Sequence, residues 1–112
     1  MFFIPDQISK SSRKISTMWE VTLKKNIGKN LNKLPVKVQE QFKALMIELR
    51  ATGPVQKGWA NYSKIQGTKK CHHCHIKRGK PTYVVVWREL NHNKLEVTYL
   101  GTHEKANYQR LC

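Results

Sequence analysis

The run Tyr83-Val84-Val85-Val86-Trp87 constrains the fold more than any other stretch of the chain. Consecutive β-branched and aromatic residues favour a strand, and a continuous apolar strand fits the middle of a sheet covered on much of both faces. The flanking segments also resemble strands: Cys71 to Ile76 precedes a turn at Arg78 to Pro81, and Lys94 to Leu100 alternates apolar and polar residues. Three strands joined by short turns predict an antiparallel meander, with an edge strand over Tyr62 to Ile65.

A helix precedes this meander. Pro35 suits a first helical turn, and apolar residues then recur at helical spacing until Thr52-Gly53-Pro54 ends the run. Before it, Met18 to Leu23 alternates like a short strand, and Ile27 to Lys33 fits a brief helix. This order predicts an α+β domain: an antiparallel twisted sheet of about four to five strands, with one or two helices from the N-terminal half on one face. The apolar stripe of the longer helix consists of Val38, Phe42, Leu45, Met46 and Leu49.

The charge of the chain predicts a polyanionic partner. Lys and Arg number 21 against 7 acidic residues, which gives a formal net charge of +14. Nucleic acid is the first expectation, an acidic protein the second and an anionic membrane surface the third. The membrane is the weakest of these, because no apolar run approaches the roughly 20 residues of a spanning helix. The apolar start ends at Pro5, short of the ~7 to 15 residues of a signal-peptide core, so we expect a cytoplasmic protein.

The length of the chain, 112 residues, suits one core and is too short for two. Residues 1–17 mix serines and threonines with lysines and arginine, and such a segment buries little. We therefore expect a basic N-terminal extension over 1–17 and one domain over 18–112.

The run Cys71-His72-His73-Cys74-His75 carries three of the five histidines of the chain. Histidine changes charge near neutral pH and also binds metals, so any chemistry is expected to start here. On a strand the side chains alternate, which sends Cys71, His73 and His75 to one face and His72, Cys74 and the following isoleucine to the other. The second set contains the apolar members and is expected to face the core. His73 and His75 then lie exposed among cations, and His72 is structural.

The cysteine count argues against a disulfide framework. Three cysteines cannot all pair within the chain, and Cys112 is the last residue of the sequence, so we expect reduced thiols. The spacing Cys71-x-x-Cys74 also fits a zinc knuckle, but a structural zinc site needs four ligands. Cys112 and His103 are the remote candidates, and on a strand Cys71 and Cys74 would face opposite ways. We therefore expect no metal and no cofactor.

Four sequence features occur together with this order of elements. The long helix ends in Gly-Pro, the segment Lys64 to Gly67 leads into a basic strand, and Tyr83 to Trp87 forms the central strand. The close, Gly101 to Tyr108, has the pattern Gly-x-His-Glu-x-x-x-Tyr. Together these features resemble the RelE/ParE superfamily of toxin-antitoxin toxins over about residues 18–108, nearest the ribonuclease branch that contains RelE, HigB and YafQ-like proteins.

This resemblance implies a cytoplasmic toxin that enters the ribosomal A site, cleaves messenger RNA without a metal and is held inactive by a cognate antitoxin. His73 and His75 fall where RelE-like toxins place two basic residues on the strand that enters the site. His103 falls at a basic or histidine position just past the last strand. Tyr108 matches an aromatic or histidine position that often lines the site. These four residues are the candidate catalytic set.

The cations around this set are the candidate RNA-binding residues. Relatives frequently carry an arginine at the start of the central strand, where this chain has Thr82, Tyr83 and Val84. One of the two arginines that flank that strand would have to supply the charge. The full set of candidates is Lys64, Lys69, Lys70, Arg78, Arg88 and Lys105.

Cleavage of RNA through its own 2′-hydroxyl needs a base for that proton, cations for the charge on the phosphorane, and an acid for the departing 5′-oxygen. Histidine can do either proton transfer at cellular pH. We expect His73 or His75 to be the base and His103 the acid. Neighbouring cations should lower the histidine pKa values and so favour a neutral base. A toxin this basic is expected to pair with an acidic antitoxin that covers the cationic face.

Two other functions fit the sequence: a ParE-like inhibitor that binds DNA gyrase without cutting anything, and a basic RNA-binding module with no activity. The histidine cluster favours the enzyme, because an inhibitor needs no proton-transfer groups on that face. Tyr108 could stack on a base, donate to a phosphate or only tie down the C-terminus. His92, in a turn between two asparagines, is expected to be idle.

Overall fold

The structure, a computed structural model, describes residues 18–65 and 70–112. The predicted N-terminal extension lies outside the described residues. None of the helices in the described part of the chain is long and apolar enough to cross a membrane. The elements are β1 (Glu20–Leu23), α1 (Lys25–Leu31), α2 (Val36–Thr52), β2 (Ala60–Lys64), β3 (Cys71–Lys77), β4 (Tyr83–Leu90), β5 (Lys94–Thr102), a 3-10 turn (His103–Lys105) and α3 (Tyr108–Leu111).

The five strands form one sheet in the order β1-β5-β4-β3-β2. Strands β2 to β5 pair antiparallel, which confirms the α+β class and the predicted meander. The expectation of a wholly antiparallel sheet is wrong at β1, which lies parallel to β5, and the Lys24 N–H donates to the Val97 carbonyl just past the pair (2.9 Å). Local alternation shows that a segment is a strand, but only tertiary packing decides which edge it joins.

Helix α2 covers one face of the sheet, which we call the helix face. The predicted apolar stripe of α2 is buried. The side chains of this stripe pack against Cys74, Ile76, Val85 and Trp87 of the central strands. Burial of such side chains is the main favourable term in folding, at about 1.5–3 kcal/mol for each. The Trp87 indole N–H donates to the Pro54 carbonyl (3.1 Å), which ties the loop after α2 to the sheet.

A buried hydrogen-bond network also lies on the helix face. His72 is fully buried, with its Nε2 2.7 Å from Oε2 of Glu89 and its Nδ1 2.8 Å from the hydroxyl of Tyr62. A carboxylate can only accept, so Nε2 carries the proton and Nδ1 accepts from the Tyr62 hydroxyl. The ring stacks on Trp87 at 5.9 Å between centroids. Burial lowers the pKa of His72, although Glu89 opposes this, and the neutral ring completes both bonds.

Candidate active site

The opposite side of the sheet, which we call the site face, carries His73 and His75. Strand β3 alternates as predicted: Cys74 and Ile76 lie in the core under α2, whereas His73 and His75 are half-buried on the other side. The pairing of β3 with β4 sets His73 beside Val86, and the pairing of β4 with β5 sets Val86 beside Tyr99, in one line across the sheet.

The end of the chain brings two more side chains to the histidines of β3. After β5 the 3-10 turn places His103 against His75, with ring centroids 5.4 Å apart in an edge-on arrangement. Helix α3 then folds back across the site face, and the ring centroid of Tyr108 lies 5.0 Å from that of His73. The ring centroids of His73 and His75 are 6.0 Å apart. All four predicted catalytic candidates therefore form one row in the order Tyr108, His73, His75, His103, which we call the histidine row.

The neighbours of His73 determine which of its nitrogens carries a proton. Its Nδ1 lies 3.3 Å from the carbonyl oxygen of Ser63 and 3.4 Å from the hydroxyl of the same residue. A carbonyl can only accept, so Nδ1 donates and Nε2 keeps a free lone pair. Ser63 was not among the predicted site residues, because only the pairing of β2 with β3 places it opposite His73.

The electrostatics of the row favour neutral imidazoles on β3. Burial is the largest cause that lowers the pKa of His73, and the charge of His103 lowers it further, against the opposing bond to Ser63. Burial also lowers the pKa of His75, and His103, His73 and Arg78 add to the effect. Because its pKa is lowered, each ring stays neutral and able to accept a proton at pH values where an ordinary histidine would already be protonated.

Tyr108 has a hydroxyl that is buried and has no hydrogen-bond partner among the described residues. Burial raises the pKa of this phenol, with Tyr99 as a second cause, so the group stays protonated. An unpaired buried donor costs about 1–3 kcal/mol, which a partner able to accept a hydrogen bond would recover.

An open cavity of about 580 Å³ lies next to His75 and His103. The turn between β3 and β4 forms its other wall, and the carboxylate of Glu104 also lines it. The cavity leaves the two imidazoles open to a molecule from solvent. The turn residues that line it are Gly79, Lys80, Pro81 and Thr82.

The predicted RNA-binding cations are not all placed beside the histidine row. Arg78 is close enough to lower the pKa of His75, and its guanidinium donates to the Asn61 side chain (3.2 Å). Lys105 and Lys70 are exposed, and Lys105 follows His103 in the 3-10 turn. Lys69 lies outside the described residues.

Two of these predicted cations have surroundings that the sequence did not indicate. Arg88 is held by the carboxylate of Glu96, with two nitrogens 2.8 Å from its Oε1, so its charge is already paired. Lys64 pairs with His72 rather than His73 and lowers the pKa of His72, so it lies toward the helix face. A register shift in β2 between Ala60 and Ser63 sets this orientation.

The expectation of reduced, unpaired cysteines is wrong for two of the three. Cys71 and Cys112 form a disulfide, with their Cα atoms 6.1 Å apart, and Cys74 is free and buried. The bridge forms because α3 returns the chain end to β3, which no spacing rule reveals. Cys71 and Cys74 face opposite sides of the sheet, as the alternation predicts, and the bridge occupies the Cys71 thiol. Within the described residues, no three His, Cys, Asp or Glu side chains are arranged to hold a metal.

Solved structures with a similar fold are toxins of toxin-antitoxin systems. A mutant form of the E. coli toxin RelE in the free state aligns with a TM-score of 0.62 and 19% identity, over 80% of this chain and 87% of that chain. The chain has the RelE fold.

Two further structures with the RelE-like fold have similar statistics. The YoeB dimer from Staphylococcus aureus aligns with a TM-score of 0.61 and 12% identity, over 77% of this chain and 98% of that chain. The intact E. coli RelBE toxin-antitoxin complex aligns with a TM-score of 0.59 and 20% identity, over 78% of this chain and 99% of that chain. No protein-family model matches the sequence, and no curated protein matches it either.

Proposed function

We propose that this chain is the toxin of a type II toxin-antitoxin module, a ribosome-dependent endoribonuclease that cleaves messenger RNA. The single observation that carries this proposal is the histidine row, in which three imidazoles and a phenol adjoin on the site face beside an open cavity. Proton-transfer groups in this number suit a catalytic role better than a binding role. The likeness in fold to RelE and YoeB supports the same assignment.

In the proposed mechanism, Nε2 of His73 takes the proton of the ribose 2′-hydroxyl. The 2′-oxygen attacks the adjacent phosphorus, and His103 protonates the departing 5′-oxygen. The products are a 2′,3′-cyclic phosphate and a 5′-hydroxyl. His75 lies between the base and the acid, Arg78 stabilises the charge on the phosphorane, and the Tyr108 hydroxyl donates to a phosphate oxygen.

The partner in the cell, on this proposal, is an acidic antitoxin that covers the cationic face. The net charge of +14 and the likeness to the toxin of the RelBE complex support this partner. Complementary charge would steer the two proteins together and would occupy the surface that RNA needs.

Cleavage of translated messages tests the proposal directly. Induced synthesis of the protein in a bacterial culture should stop growth, and 5′-end mapping should show new ends inside translated frames. The same purified protein should cut a message on programmed ribosomes and leave DNA gyrase supercoiling unchanged. Growth arrest with intact messages and inhibited supercoiling would instead establish the gyrase inhibitor. RNA binding with neither effect would establish a module without activity.

The pH profile of cleavage should rise at a lower pH than an ordinary histidine would give. The base acts when neutral, and its pKa is lowered from about 6.5, so the acidic limb of the single-turnover rate should have its midpoint below that value. Arg78→Gln identifies the base, because the charge of Arg78 lowers the pKa of His75 but is not among the causes for His73. If the acidic limb of the Arg78→Gln profile is unchanged, His73 is the base. If that limb moves to higher pH, His75 is the base. A wild-type midpoint above 6.5 would contradict a neutral, desolvated base.

A further inference from the structure

A second cavity, of about 420 Å³, lies on the other side of α3 from the histidine row. It is bounded by the turn between β1 and α1, by β5 and by the C-terminal segment. Among its lining residues, only Lys105 is a candidate RNA-binding residue predicted from the sequence. The others that carry charge or hydrogen-bonding groups are Lys24, Lys25, Asn26, Thr98, Tyr99, Asn107 and Arg110.

The charge of this cavity is of one sign. Lys24, Lys25, Lys105 and Arg110 line it, no carboxylate does, and none of the four forms an ion pair within the described residues. The cavity beside the histidines differs, because Glu104 lines that one. Four unpaired cations around one concavity repel one another and are stabilised when an anion enters.

The cavity also adjoins the histidine row through one residue. Tyr99 lines the cavity and packs with Tyr108 in the small apolar cluster under α3. Its ring crosses Gly101, where an added Cβ would lie 2.6 Å from the Tyr99 hydroxyl, and that hydroxyl donates to the Thr102 carbonyl (2.8 Å). Tyr99 lies two strands from His73, in line with it across the sheet through Val86. At the usual strand spacing the two residues are roughly 10 Å apart.

A polymer with regularly spaced negative charges fits this arrangement better than a single small anion. The cations are divided between two places on one face, with Arg78 and Lys80 near the histidine cavity and four more beyond α3. An RNA strand that crosses the site face would present one phosphate to His75 and His103 and another, a short distance along the strand, to the second cavity.

We propose that the cavity lined by Lys24, Lys25, Lys105 and Arg110 binds backbone phosphates of the RNA strand next to the phosphodiester that is cleaved. This inference rests on the proposed function for its substrate. The site gives affinity and register, without reading bases, because lysine and arginine contact phosphates independently of sequence. It positions the strand and takes no part in proton transfer.

The test compares two variants with equal loss of charge. Lys24→Gln/Lys25→Gln/Arg110→Gln removes three cations from the cavity, and Lys37→Gln/Lys43→Gln/Lys57→Gln removes three exposed cations from α2 and the loop after it. Binding of each protein to a labelled single-stranded RNA with 2′-O-methyl riboses, which cannot be cleaved, is measured at several salt concentrations. All replaced side chains are exposed, and thermal melting confirms that both variants fold.

Counterion release sets the expected size of the effect. Each phosphate contact contributes about 0.7 to the slope of log K against log salt for a single strand, so three lost contacts should reduce the slope by about 2. Affinity should then fall about a hundredfold at 0.1 M salt in the cavity variant, and by much less in the α2 variant. Equal losses in both variants, or no binding of this RNA by the wild type, would overturn the proposal.

The outcomes also separate this proposal from the proposed function. If the cavity variant loses RNA affinity but the wild type cuts no message on ribosomes, the phosphate site stands and the nuclease assignment falls. If the wild type cuts messages and the cavity variant binds RNA normally, the nuclease assignment stands and the phosphate site falls. Poly-glutamate, a model of an acidic protein, is tested in the same way. If the cavity variant loses binding to poly-glutamate but binds RNA like the wild type, the cavity is assigned to an acidic protein and the RNA site is overturned.

Discussion

The His103→Ala variant should cleave a translated message about 10²- to 10⁴-fold more slowly than the wild type, the loss typical of one proton transfer. The departing 5′-oxygen would lack an acid, because among the described residues no other imidazole adjoins His75 at the cavity side of the row. His73→Ala should lose a similar factor. Single-turnover cleavage on programmed ribosomes measures both rates.

The double variant tests whether these two residues act as one unit. Base and acid depend on each other, so the combined loss should be far smaller than the product of the single losses. His92→Asn is the matched control, because His92 is exposed in the turn after β4 at φ +62, a conformation that asparagine tolerates. The control should cleave at the wild-type rate. Wild-type cleavage by His103→Ala would contradict the assignment of the acid.

Loss of the Cys71–Cys112 disulfide should lower the free energy of unfolding by roughly 2–4 kcal/mol. The bridge joins residues 41 apart, and closing a loop of that length removes conformational entropy mainly from the unfolded chain. Reduction should also slow cleavage, because the bridge holds α3, and with it Tyr108, over His73. Urea unfolding followed by tryptophan fluorescence, with and without reductant, measures the stability.

Cys112→Ser provides the control for the reductant itself. This variant should unfold at the same urea concentration with and without reductant, and near the midpoint of the reduced wild type. Equal midpoints for the oxidised and reduced wild type would show that the bridge contributes nothing. Mass measurement before and after thiol alkylation identifies which form is present in each sample.

Patterns that depend on neighbours in sequence were read correctly. The apolar stripe of α2 follows from 3.6-residue periodicity, and the orientation of His73 and Cys74 follows from the two-residue alternation of β3. His73 and His75 could be named from the histidine-rich strand, and His103 and Tyr108 because the close of the chain resembles that of a known family.

Features that depend on distant segments could not be read in this way. The parallel pairing of β1, the disulfide of Cys112 and the acceptor role of Ser63 each require knowledge of where the chain returns. The orientation of Lys64 could not be predicted for a related reason, since a register shift within β2 reverses the face of every residue that follows it. The second basic cavity was missed because its cations come from both ends of the domain.

The network of His72, Tyr62 and Glu89 has a consequence for the opposite side of the sheet. Lys64 and Ser63 are successive residues of β2 that pair with His72 and His73, so one ladder both anchors the edge strand and sets the hydrogen-bond acceptor of His73. Loss of the His72 network should therefore loosen β2 and displace the Ser63 carbonyl that accepts from His73 on the other side of the sheet. On the proposed function, a substitution of Glu89 should slow RNA cleavage although this residue lies on the opposite side of the sheet from His73.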